Sequence, residues 1–312
     1  MKRRALLALA SSAAALPARA AAMPRVGFLV TGDPEPVWSF FRTALAGLGY
    51  VEGRTIAIEY RAATAAGSRL DSLAADLVRL KVDVLVAILA PALAAAKRAT
   101  SRIPIVFYGA VPETGMVTNL ARPEGNITGI FSQSSALAGK AVQLFHEIKP
   151  STRLFGILLN ALDPFHVPLR QEVENVTRAE RIEAVPVPVG GPEDVAPALE
   201  TMARRGLDGV LIQPSLGIAA AAAAALKARL PAISFRREFV EAGGLLSYGA
   251  NQAAMARALA ADVDRLIKGV PLANIPVQQA TQFELVVNQT TAKALGIALS
   301  PLFLARADEV IG

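Results

Sequence analysis

Side chains able to do chemistry are few in this chain. There are two histidines and no cysteine among 312 residues. His146 lies beside Glu147 in an amphipathic stretch and reads as a surface residue. His166 ends the run Asp163-Pro164-Phe165-His166, which reads as a loop where the imidazole can bond a ligand or serve structurally. Two distant histidines without thiolates do not assemble a metal site, and no cofactor is expected. The sequence has no G-x-S-x-G elbow, no G-x-x-x-x-G-K-[ST] phosphate loop and no G-x-G-x-x-G fingerprint. Gly190-Gly191-Pro192-Glu193-Asp194 reads as a turn and helix cap, since no Lys or further Gly follows. Carboxylates are scattered over helix faces, mostly near arginines. Without a matched acid, base and nucleophile the sequence argues against an enzyme.

What remains is a hydrogen-bonding inventory just past the apolar runs: Thr31, Gly32 and Asp33; Ala90 and Pro91; Tyr108 and Gly109; Ser132 and Gln133; Asn160 and Asp163; Gln213 and Ser215; Arg236 and Glu238. In open α/β sheets ligands bind beyond the carboxyl ends of the strands. This weakly charged set suits a small polar molecule held without being transformed. Turns and helix caps select the same residue types, which gives each residue a structural reading as well.

The elements that must position these residues alternate. Short aliphatic or β-branched runs occur at Val26–Val30, Thr55–Arg61, Val82–Leu89, Ile103–Gly109 and Ile127–Ser132, then at Arg153–Asn160, Ile182–Val189, Gly209–Pro214, Pro231–Phe235 and Leu245–Ala250. Most are apolar throughout, as in strands buried on both faces of a parallel sheet. Helical periodicity lies between them, clearest in Ser68–Lys81, where Leu70, Leu73, Ala74, Leu77 and Leu80 recur every three or four residues. Trp38–Leu48, Leu137–Ile148, Pro192–Arg205, Ile218–Leu230 and Gln252–Lys268 read similarly. The class is α/β with parallel sheets and right-handed crossovers. Ten strands in a chain of this length favour two lobes over one wide sheet.

The N-terminus has the features of a targeting segment: Lys2, Arg3 and Arg4, an apolar stretch Ala5–Leu16, and Ala18-Arg19-Ala20 as a small-x-small cleavage pattern, with cleavage after Ala22 equally compatible. Either general secretory or twin-arginine export fits. Removal of residues 1–22 takes away four of the 32 basic residues and no acid, so the formal charge falls from +6 to +2. The isoelectric point near 9.8 then no longer argues for nucleic acid. A mean hydropathy of +0.40 reflects mainly alanine. Beyond the N-terminus no apolar run reaches the roughly 18–20 residues of a spanning helix, and the mature chain is expected not to cross a membrane.

Several stretches jointly resemble the ABC-transporter substrate-binding proteins of the tryptophan type. They are Gly47-Leu48-Gly49-Tyr50-Val51-Glu52-Gly53 with Ile58-Glu59-Tyr60-Arg61, Ile103-Pro104-Ile105-Val106-Phe107, and Asn119-Leu120-Ala121-Arg122-Pro123-Glu124-Gly125-Asn126-Ile127-Thr128-Gly129. Arg237-Glu238-Phe239-Val240-Glu241-Ala242-Gly243-Gly244-Leu245-Leu246-Ser247-Tyr248-Gly249 and Phe283-Glu284-Leu285-Val286-Val287-Asn288 complete the set. The resemblance runs over essentially the whole mature chain. It implies a type I periplasmic-binding fold, two Rossmann-like lobes joined by three crossovers, with a signal peptide at 1–22, a first lobe from 23–130 plus 250–274, and a second from 131–249 plus 275–312. It further implies a monomer in the periplasm that captures a small ligand, with an aromatic or other hydrophobic amino acid as the first candidate, and an ABC permease and ATPase as partners.

The sequence departs from the family pattern at two places. The family usually shows Gly-Asp-Pro-Val after the fourth strand, whereas Gly109-Ala110-Val111-Pro112-Glu113 lacks that carboxylate, which could hold a substrate amine. The Trp and Glu usual after Tyr60-Arg61 give way to Ala62-Ala63-Thr64-Ala65-Ala66. Both departures leave room for another ligand. A ligand-sensing subunit that presents its ligand to a receptor is the alternative on the same fold.

Overall fold

The computed structural model describes residues 23–63, 68–109, 114–117, 119–123, 125–132 and 134–312; the expected targeting segment and Gln133 lie outside them. The chain runs β1 (Arg25–Thr31), α1 (Val37–Gly47), β2 (Ala57–Ala63), α2 (Ser68–Arg79), β3 (Val84–Ile88), α3 (Ala90–Ala99), β4 (Ile105–Tyr108) and β5 (Ile127–Phe131). It then crosses to α4 (Ser134–Ile148), β6 (Leu154–Asn160), α5 (His166–Ala179), β7 (Glu183–Val189), α6 (Val195–Arg204), β8 (Gly209–Ile212), α7 (Ile218–Lys227), β9 (Ala232–Ser234), α8 (Arg237–Glu241) and β10 (Leu246–Ala250). It returns with α9 (Gln252–Ile267) and β11 (Gln278–Gln279), and finishes with β12 (Phe283–Asn288), α10 (Gln289–Ala294), α11 (Pro301–Leu304) and β13 (Glu309–Ile311).

Two sheets result, ordered β11-β5-β4-β3-β1-β2 and β13-β12-β10-β9-β8-β6-β7. All pairings are parallel except β10 with β12, where Ala250 lies opposite Phe283. Central strands such as β3 and β4 are buried at every residue, which is why they read as continuous apolar runs. The ten strands anticipated from sequence become thirteen, because β11 and β13 are too short to leave a periodic signal and β12 follows the return helix.

Sheet membership corrects one expected boundary. Gln278 and Gln279 pair with Ile130 and Phe131, and Val277 and Ala280 are buried in the first lobe's core. The first lobe therefore continues through Ala280, whereas residues 275–312 were all expected in the second. Thr128 helps hold this segment, its hydroxyl donating to the Ile275 carbonyl over 2.7 Å. Helix α9 packs against α1, and the Tyr50 hydroxyl donates to Asp264 Oδ1 over 2.8 Å, a bond whose carboxylate, together with burial, pushes the phenol up to about 12.

His166 is another correction: it is the first residue of α5, not part of a loop. Pro168 falls in the first turn of that helix, where a missing N–H costs no helical hydrogen bond. Gly243 ends α8 at φ +104, and a Cβ at Gly244 would lie 2.2 Å from the Phe239 ring. That pair is fixed by turn geometry and close packing. No helix among the described residues is long and apolar enough to cross a membrane.

Candidate functional site

The carboxyl ends of both sheets face one cleft between the lobes. About 700 Å³ of space lies between its walls, counting the part open to solvent at its mouth. The first lobe supplies Val37 from α1, Ile88 and Leu89 after β3, Ala90 at the start of α3, Tyr108 and Gly109 after β4, and Gln252 and Met255 from α9. The second lobe supplies Leu137 from α4, Asp163 and Phe165 after β6, Gln213, Pro214 and Ser215 after β8, and Phe235 and Arg236 after β9. Ser132 and Ala250 line it from two of the crossovers.

The polar floor is a network built on neighbouring strands β6 and β8. The Asn160 backbone N–H donates to Gln213 Oε1 (2.9 Å), and its side-chain amide donates to Ser215 Oγ (3.3 Å). Ser215 Oγ in turn donates to Asp163 Oδ2 (2.6 Å), and the Phe165 N–H donates to Oδ1 (3.0 Å). Asp163 is only 3% exposed, and burial pushes its pKa up despite the opposing pull of Ser215, the Phe165 N–H and the Gln213 amide. Among the described residues no Lys or Arg pairs with it; the nearest charge influence is His166. Gln213 Nε2 is shielded from solvent and turned toward the Asp163 carboxyl without completing a well-aligned hydrogen bond to it.

Across the cleft, Arg236 joins the lobes. Its Nε donates to Glu238 Oε2 (3.1 Å) and its Nη2 to the Glu35 carbonyl of the first lobe (2.8 Å). Gln252 Nε2 reaches Glu238 from the other side, 2.8 and 2.9 Å from the two carboxylate oxygens. Tyr108 is buried beside this cluster, and desolvation holds its phenol protonated far above the ordinary range. Leu89 adopts φ +69 and ψ 162, a region that costs a non-glycine residue about 1–3 kcal/mol. That turn aims the start of α3 at the cleft, with the Leu89 N–H held by the Tyr108 carbonyl at 2.8 Å.

The structure therefore brings Ala90, Tyr108, Gly109, Ser132, Asp163, Gln213, Ser215 and Arg236 to one cavity. Four expected residues stand elsewhere. Asp33 is exposed and accepts the Glu35 N–H within its own turn (2.9 Å). Pro91 is buried in the first turn of α3, and Asn160 braces the floor from behind. Thr31 is 1% exposed with its hydroxyl unpaired, but does not line the cavity. Missed were the apolar walls and Gln252. In sequence an apolar residue facing a cleft looks like one facing the core, and Gln252 reads as the opening of a helix rather than as the end of an apolar strand run, where candidates were sought. Asn251, which caps α9 by accepting the Ala254 N–H at 2.7 Å, was the available signal that position 252 opens a helix.

The cleft pairs a small polar floor with apolar walls. Comparison with known proteins supplies the family. The chain is similar to a tyrosine-binding protein of Clostridioides difficile strain R20291, 24% identical over 262 residues, 82% of this chain and 75% of the relative. It is similar in structure to a conserved domain protein of Vibrio cholerae O1 biovar El Tor, with a TM-score of 0.84, 27% identity and coverage of 92% of this chain and 99% of that one. A Streptococcus pneumoniae ABC domain in complex with L-Trp gives a TM-score of 0.85 at 21% identity, with the same coverage. The family model for ABC transporter substrate binding proteins matches residues 37–311, nearly the whole described chain, and this protein belongs to that family.

Proposed function

We propose that this protein is the exported solute-binding component of an ABC importer, that it captures an amino acid with an apolar side chain, aromatic ones foremost, and that it hands this ligand to a permease without transforming it. The observation that carries the ligand class is Asp163: a buried carboxyl group on the cavity floor with no cationic side chain among the described residues to balance it. Burying an unpaired charge is costly, and a ligand ammonium supplies the missing partner. Leu89, Leu137, Phe165, Phe235 and Met255 leave an apolar volume for the side chain. A sugar would leave those walls unmatched and offer no cation to Asp163. The carboxylate missing from the usual family position after β4 is thus replaced by one in the opposite lobe. The names of the tyrosine-binding and tryptophan-bound relatives support the same class. Residues 1–22 would act as the export signal, placing the mature monomer in the periplasm.

Thermal unfolding of the mature chain, begun at Met23, against amino acids, sugars and nucleosides tests this reading. A ligand at 100 times its Kd adds about 2.7 kcal/mol, a rise of several degrees. A rise with tryptophan, tyrosine, phenylalanine or leucine is expected. A rise confined to sugars or nucleosides would sink the amino-acid assignment while leaving the family intact.

A further inference from the structure

Beyond ligand class, we propose that Gln252 couples the amine of the bound ligand to the contact that holds the two lobes together. The inference rests on the amino-acid reading above. Glu238 fixes which way the Gln252 amide points: a carboxylate only accepts, so Nε2 must face it, as the 2.8 and 2.9 Å contacts require. Oε1 is thereby turned away from Glu238. It is sealed from solvent and accepts no hydrogen bond, although Gln252 lines the ligand cavity. Leaving a buried acceptor unsatisfied costs about 1–3 kcal/mol. A ligand N–H relieves that cost.

The same amide begins a chain of hydrogen bonds to the rim of the cleft. Gln252 of the first lobe donates to Glu238 of the second; Arg236 donates to Glu238 at 3.1 Å and reaches back to the Glu35 carbonyl of the first lobe at 2.8 Å. The Arg236 side chain is only 12% exposed, so this chain runs through a region of low dielectric where each bond polarises the next. An N–H donated to Oε1 makes the Gln252 amide a stronger donor to Glu238, which in turn holds Arg236 in its reach across the cleft. A primary ammonium carries enough N–H groups to serve Asp163 and Gln252 together. The molecule that fills the pocket thereby sets the latch, and a ligand without the amine fills the pocket and leaves the latch loose.

The chain has no cysteine, so Ser72→Cys on α2 and Gln171→Cys on α5 accept a donor and acceptor dye cleanly, one on each lobe. Calorimetry and energy transfer are then read for tryptophan, tyrosine and leucine, each beside its desamino acid: indole-3-propionate, 3-(4-hydroxyphenyl)propionate and 4-methylpentanoate. In the parent protein the amino acid closes the lobes, while the desamino acid, which leaves Asp163 without a cation, binds far more weakly and at saturation does not close them. Gln252→Met weakens the amino acid about tenfold, abolishes most of the energy-transfer change and leaves the desamino acid's affinity unaltered. Glu238→Gln keeps the cavity wall intact and also loses closure, which covers the case where Gln252→Met melts early. Undiminished closure in both variants, or equal losses for amino and desamino ligands in Gln252→Met, overturns the coupling role alone. Absence of binding by every amino acid to the parent protein overturns the amino-acid reading and the coupling together.

Discussion

Each lobe buries an aspartate, and the two are put to different use. Asp262 on α9 is fully buried, accepts from Gln278 Nε2 at 2.9 Å on both oxygens and lies 3.5 Å from Arg265. Its work is internal: it clasps the short strand β11 to the helix that precedes it. Asp163 in the second lobe is similarly buried, but its neighbours are a hydroxyl and a backbone N–H, and it lines the cleft. Burial alone does not mark a binding residue. An acid with an arginine and an amide is a structural joint, whereas under the proposed function an acid without a cation at the cavity wall takes the ligand's.

Asp163→Asn breaks the contrast most severely. Removing one partner of a buried charge pair costs 2–5 kcal/mol or more, so amino-acid affinity measured by calorimetry should fall about 1,000-fold. The unliganded variant should melt no lower than the parent, because its buried charge opposes folding. Since burial raises the Asp163 pKa, affinity for an ammonium ligand should weaken as pH falls through that raised value and protonates the acid.

Asp262→Asn should do the reverse: unchanged ligand affinity and an altered pH profile of stability. Burial pushes Asp262 up to about 6, above its unfolded value, so folding is most favoured with the acid protonated. Stability is lost as pH rises from about 4 through 6, by about 3 kcal/mol for two pK units. Denaturant titrations across that window should show a flatter slope in the variant. Gln213→Met removes the amide that faces the Asp163 carboxyl and accepts the Asn160 N–H, and should weaken amino acids about tenfold. Ile88→Val on the first-lobe wall should lower stability by about 1 kcal/mol and shift affinity only a few-fold, most for the largest side chains.

The same contrast explains what sequence alone could yield. The inner strands were legible because burial on both faces makes them continuously apolar, whereas the edge strands β2 and β7 are only partly buried and carry charged residues. Asp163, Gln213 and Ser215 were legible because strand ends are where a doubly wound sheet opens its crevice. Asp262 looked like any helix-face carboxylate, since nothing local reveals that α9 returns to the first lobe and turns that face against β11. Phe165, Phe235 and Met255 were indistinguishable from core. Helix α5 stayed hidden because Pro164, Pro168 and a histidine break the apolar rhythm at its start.

The return of α9 and β11 to the first lobe also dictates an order of assembly. The Tyr50–Asp264 bond spans 214 positions, and β5 waits for Gln278 and Gln279 to cover its edge. The strands β6 to β10 of the other sheet are contiguous in the chain and can pair as they appear. A nascent polypeptide emerging amino end first therefore cannot complete its leading half until about nine-tenths of its length is available, and such distant contacts form slowly. The half that is made first is therefore held open longest.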